Sequence, residues 1–219
     1  MKNSSIASLK TVALICATFC LLVSPMQGAL ITDAAGDFIP TFTGPQNGDL
    51  DVLQAEVFFN GASFLFTSTS AASIGLTPEG IFVWGIDRGP GFASFPGIAP
   101  GVTFDALLVI VPGGDSFVND LVTNSTTPIP VSDVTISGAF LSARVPLSAL
   151  PQVALAPSDY TVNLWPRSAL SFADEVVSDF APDNSNAGVT VVPEPATAGF
   201  AGVALAGLAF LQFRNRKKR

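Results

Sequence analysis

The chain has 219 residues, 48% of them apolar and only 12% charged, with 18 Phe, two Cys and no His, and its net charge is −7. The absence of histidine excludes Ser-His-Asp and Cys-His catalysis and every His-ligated metal site, which removes most familiar hydrolases. The length suits one domain plus appendages, and the apolar share is large enough for a sizeable core.

Residues 1–29 read as a secretory signal peptide, a helix removed on export. Lys2 and Lys10 form a positive start, and Val12 to Val23 is a 12-residue stretch, apolar except for Thr18. That length serves a signal sequence and falls short of a stable bilayer span. Pro25 breaks the stretch, and Gly28 and Ala29 offer a cleavage site. The other reading is an uncleaved N-terminal anchor. Cys16 and Cys20 both lie inside the stretch, after Ile15 and Phe19 rather than the small residue of a lipoprotein box. Cleavage would therefore leave a mature chain with no disulfide, thiol nucleophile or thiolate metal site.

Residues 30–192 form the expected folded body. They carry 16 acids against Arg88, Arg144 and Arg167, a net charge of −13 with no lysine. Such a surface repels phosphates and anionic membranes, so no nucleic acid partner is expected, and it suits an extracellular protein that meets divalent cations. The patterning is that of strands. Val52 to Phe59 and Ala62 to Thr67 flank Asn60-Gly61, a strong hairpin signal, with Leu53, Ala55, Val57 and Phe59 expected on one face. Ile81 to Ile86 reads as a buried central strand. Val102 to Val111 reads as another, closed by the turn Pro112-Gly113-Gly114-Asp115. Val134 to Ser137, Ala139 to Val145 and Tyr160 to Trp165 add three more, and Pro146 to Leu150 reads as one helical turn. At least seven short strands between Gly/Pro turns predict an all-β fold, a single antiparallel β-sandwich, with a closed barrel as the rival.

The C-terminal segment has three parts: Val192-Pro193-Glu194-Pro195, then Ala196 to Phe213, 18 residues apolar apart from Thr197 and Gln212, then Arg214-Asn215-Arg216-Lys217-Lys218-Arg219. Physically these are a proline break, a marginal transmembrane helix, and a basic anchor (Arg214, Arg216, Lys217, Lys218, Arg219) that favours the cytoplasmic side. A permanent tail anchor is one reading. The series over 193–219, with Val192 just before it, closely resembles the PEP-CTERM sorting signal of Gram-negative surface proteins. That resemblance implies an exosortase as partner and processing near Pro193 to Pro195. It also implies residence at the cell surface or in the extracellular matrix, beside exopolysaccharide and biofilm production.

The body has a looser resemblance, carried by Asp33-Ala-Ala-Gly-Asp37, Gly48-Asp49-Leu50-Asp51-Val52, the Asn60-Gly61 hairpin and Ala143-Arg144-Val145-Pro146-Leu147-Ser148. These are similar to the DOMON and family-9 carbohydrate-binding-module sandwiches, whose members bind haem or sugars. Haem needs Met or His axial ligands, and Met1 and Met26 both fall in the signal peptide, so the haem-binding version is excluded.

Candidate sites follow from residue chemistry. Gly114-Asp115-Ser116 resembles a hydrolase nucleophile block, but without a histidine base it reads as a turn. Glu56, Glu79 and Glu175 sit in no recognisable glycosidase arrangement, so no catalytic residue is assigned and the protein is expected not to be an enzyme. Asp33, Asp37, Asp49 and Asp51 cluster early, and Asp179, Asp183, Asn184 and Asn186 cluster late. Neighbouring first and last strands would bring the two groups together. Asp33, Asp37, Asp49, Asp51 and Asp183 are then candidate Ca2+ ligands; otherwise they are Asx turns and solvated loop acids. Trp84, Arg88, Trp165 and Arg167 are candidate polysaccharide contacts, with core packing as the alternative for both tryptophans. The long Arg88–Gly101 loop carries Phe92 and Phe95, either exposed or folded back as a lid.

Overall fold

A computed structural model describes residues 29–171 and 173–192. The expected signal helix, apart from Ala29, and the expected C-terminal transmembrane helix lie outside them. Among the described residues, no helix is long and apolar enough to cross a membrane.

The body is all-β. Its strands are β1 (Ile31–Thr32), β2 (Val52–Phe59), β3 (Ser63–Ser70), β4 (Ile81–Asp87), β5 (Phe92–Ala93), β6 (Thr103–Phe104) and β7 (Ala106–Ile110). These are followed by β8 (Ser116–Asp120), β9 (Ser125–Ile129), β10 (Val134–Ser137), β11 (Phe140–Pro146), β12 (Thr161–Arg167), β13 (Ala187–Gly188) and β14 (Thr190–Val191). One sheet runs β1-β2-β3-β11-β10, with β14 added to β2 in parallel; the other runs β13-β12-β4-β7-β8-β9, antiparallel throughout. The two sheets share one core, in a sandwich-like arrangement. Phe66 of the first sheet meets Trp84 of the second edge-on at 5.3 Å, and Phe64 stacks on Tyr160 at 5.6 Å.

Local chemistry explains the elements. The β2–β3 hairpin turns at Asn60-Gly61: the Asn60 Oδ1 accepts the Ala62 and Ser63 N–H groups, and Gly61 takes φ +91°, where a side chain is disfavoured. A bulge corrects the expected face of β2. Val52 pairs with Ser70 but Gln54 with Thr69, so Leu53 is the extra residue and Val52 and Ala55 both point inward. The run from Val102 to Val111 is not one strand. It breaks at Asp105, leaving β6 in a small hairpin with β5 and β7 in the main sheet. Pro146 to Leu150 does contain a turn of helix, 3-10 in form, over Leu147–Ala149.

The two outer faces differ. The first sheet presents Gln54, Glu56, Thr67, Ser142 and Arg144, the ordinary polar exterior of an antiparallel sheet. The second presents Ile81, Val83, Leu107, Val109, Phe117 and Trp165 outward, because β4, β7 and β12 are apolar on both faces. Phe95 and Phe104 from the segment after β4 fold back over that face and bury themselves on Trp165, with ring centroids at 5.1 and 5.0 Å.

Candidate metal centre

The first and last segments of the body both pair with β2. β1 pairs with the early part of β2, and β14 pairs with its end. Between β12 and β13 the chain returns along β12 through bridges at Arg167–Val177 and Leu164–Ala181, which brings Asp179 against the β2 bulge. There Asp179 Oδ2 accepts the Val52 N–H at 2.8 Å and its Oδ1 accepts the Phe180 N–H at 2.7 Å. Asp51, one residue before β2, accepts the Gly36 N–H on Oδ2 at 2.8 Å, and Gly36 closes the Asp33–Asp37 loop at φ +82°.

Five carboxylates converge as a result. Oxygens of Asp33, Asp179 and Asp183 lie within 4.8 Å of one another, and so do those of Asp37, Asp51 and Asp179. Two ligands on opposite sides of a Ca2+ ion stand about 5 Å apart, so each trio can touch one ion, with Asp179 common to both. Asp51 and Asp179 form a buried floor at 4% and 2% exposure, while Asp37 and Asp183 stand at the open lip. Asp33 Oδ2 and Asp51 Oδ1 are buried with no hydrogen-bond partner. Burial first, then the Asp33 and Asp37 charges, push the Asp179 carboxyl up to about 7 against its two backbone donors. Burial and Asp37 likewise raise Asp33 to about 6, with Asp183 and Asp51 adding to it. Asp51 is raised by burial and Asp37.

The expected meeting of early and late acids is therefore realised for Asp33, Asp37, Asp51 and Asp183. Asp49 is placed elsewhere. Both its oxygens accept from Thr77, at 2.6 Å from the N–H and 2.7 Å from the hydroxyl. Asn184 and Asn186 are also engaged elsewhere. Asn184 accepts from Gly101, and Asn186 exchanges hydrogen bonds with Thr103, fastening the long loop to the C-terminal segment. Asp179, the hub, stood in the late cluster, and its adjacency to an apolar Phe-Ala-Pro run was the available sign of burial.

The four candidate sugar contacts do not form one face. Trp84 points into the core between the sheets, fully buried. Arg88 is also fully buried; its Nε meets Asp105 at 2.5 Å and its Nη1 meets Asp120 at 2.9 Å and the Pro151 carbonyl at 3.2 Å. Asp105 also accepts the Arg88 N–H, and Asp120 accepts from Val122 and Thr123. The guanidinium hydrogen bond holds Asp120 down at about 2 in spite of burial. Sequence reasoning missed this pairing, although Asp105 interrupting an otherwise apolar run was its signal. Trp165 and Arg167 lie on the outer face of the second sheet, where Arg167 sits 5.9 Å from the Phe95 ring centre and donates to the Ser171 carbonyl.

No family model matches the chain, and no curated protein matches it either.

Proposed function

We propose that the protein is a non-enzymatic, exported component of the cell surface or extracellular matrix, released by an exosortase, whose body is a β-sandwich stapled by Ca2+. The observation that carries the cation is the five-carboxylate cluster with buried, unpartnered oxygens on Asp33 and Asp51. A single ion there ties the Asp33–Asp37 loop, the start of β2 and the Asp179–Asp183 segment together. A body without cysteine gains from such a staple, because an ion bound only by the folded form adds its binding free energy to stability. Export rests on the 1–29 signal pattern and on Val192-Pro193-Glu194-Pro195 with its apolar and basic followers. Val192, the first residue of that series, donates its N–H to the Phe59 carbonyl at 2.7 Å, which supports a folded body that ends next to the proposed processing site. Before processing, the 196–213 span holds the protein at the membrane; exopolysaccharide is the surrounding matrix.

Two measurements test this reading. The intact mass of the surface form from its native host should lack residues beyond about Pro195; retention of Arg214 to Arg219 means a permanent anchor instead. Calorimetry with Ca2+ and Mg2+ tests the staple. Ca2+ should raise the Tm more than Mg2+, which resists a flexible carboxylate cage, and Asp179→Asn should remove the difference. Equal shifts that survive the substitution would leave only charge screening.

A further inference from the structure

The apolar outer face of the second sheet is only partly roofed. Between it, the 88–104 segment and residues 168–171 lies a cavity of about 700 Å³. Well-packed interiors contain few voids larger than a water molecule, whereas small-molecule sites run from roughly 300 to 1,000 Å³. Its walls are Val83, Val109, Phe117 and Trp165, and its mouth is marked by Phe92 and Leu170, 50% and 74% exposed. Arg167 supplies the one charged side chain in the lining, at 7% exposure. One Nη hydrogen is given to the Ser171 carbonyl, and among the described residues no carboxylate lies within salt-bridge distance, Asp174 acting from farther away. The contrast with Arg88, which has two aspartates, is direct. A nearly buried guanidinium without a counter-ion is costly and is relieved by an anion.

We propose that this cavity binds a single-chain amphiphile with a monoanionic head, a free medium- or long-chain carboxylate. Its acyl chain lies along Val83, Val109 and Trp165, and its carboxylate meets Arg167. Sugars fit this lining poorly, because few hydrogen-bonding groups face the space. The site is independent of the metal cluster and of sorting.

Trp165 makes the test direct, since a bromine on the bound chain quenches its fluorescence on contact. The full chain is titrated with 11-bromoundecanoate and 11-bromoundecanol, and with shorter homologues of each. Expected are saturable quenching lost in Trp165→Phe, about fourfold tighter binding per added methylene, and acid bound at least tenfold tighter than alcohol. Arg167→Gln should bring the acid to the alcohol's affinity while leaving the alcohol unchanged, which also shows the variant folded. Val109→Phe, filling the cavity, should weaken both. Equal affinity of acid and alcohol, or quenching indifferent to Val109→Phe, overturns the proposal. So does a dimer in sedimentation that shows no quenching, which assigns the face to a second copy.

Discussion

The Arg88–Asp105–Asp120 group and the Asp33–Asp37–Asp51–Asp179–Asp183 group each contain buried aspartates, and they differ in what lies among them. In the first, one guanidinium reaches both carboxylates, and Asp120 is held at about 2. In the second no arginine or lysine of the described residues is present, and Asp179 is raised to about 7. The same residue type thus sits on opposite sides of its ordinary value, according to whether a guanidinium or other carboxylates lie beside it. A buried carboxylate beside a guanidinium stays charged, whereas one beside other carboxylates is pushed toward its neutral form unless a cation binds.

Removing the built-in cation should give the largest effect. Arg88→Met leaves two buried carboxylates facing each other and should cost about 3–5 kcal/mol in urea unfolding. Adding Asp105→Asn and Asp120→Asn to it should recover much of that loss; no recovery would mean that Arg88 acts through packing on the Pro151 segment alone.

Adding the proposed cation comes next. At a hundredfold excess of Ca2+ over its Kd, the stability gain is about 2.7 kcal/mol, which for a domain of this size is several degrees of Tm. The Arg88 variant should respond to Ca2+ as the parent does, since the two clusters share no residue.

The third contrast is in pH dependence, measured in chelator. Asp179 and Asp33 have raised values, so their contribution is present below the unfolded carboxylate range and is lost as pH rises through about 6 and 7. The cation-free protein should therefore be more stable at pH 5 than at pH 8. Asp120 has the opposite sign: its contribution is present above the unfolded range and is lost as pH falls through about 2. With Ca2+ bound, the slope between pH 5 and 8 should reverse, because the ion binds deprotonated ligands. An unchanged slope would count against the ion.

The smallest expected effect is a change of sign. Asp33→Asn lets an amide donate to neighbouring carboxylates in place of a repelled, unpartnered oxygen. In chelator at pH 8 it should stabilise by about 1 kcal/mol, and in Ca2+ it should destabilise. Destabilisation in both conditions would show that Asp33 serves only its own loop.

Some of this was legible in the residues. Asn60-Gly61 between two alternating runs specified the β2–β3 hairpin, because the turn chemistry and the period agree. The unbroken run Ile81 to Ile86 announced a strand buried on both faces, and β4 is one. β8 and β9 were not legible: Ser116, Asn119 and Asp120 in one, and Thr126, Thr127 and Pro128 in the other, lack an apolar stripe. They form strands because β8 adds to the free edge of β7 and β9 then adds to β8. The bulge at Leu53 has no sequence mark; Asp179 takes the Val52 N–H, and that contact spans 127 positions of chain.

The sequence by itself determined the all-β patterning, the absence of histidine and thiol chemistry from the body, and its net charge of −13, since composition and period are local properties. It also carried the Val192-Pro193-Glu194-Pro195 series on which the proposed sorting rests. Tertiary structure decided which aspartates face a guanidinium and which face one another, and which tryptophan points inward. Those outcomes depend on sheet order and register, which bring together residues more than a hundred positions apart. The electrostatic environment of a buried carboxylate is set by those distant neighbours.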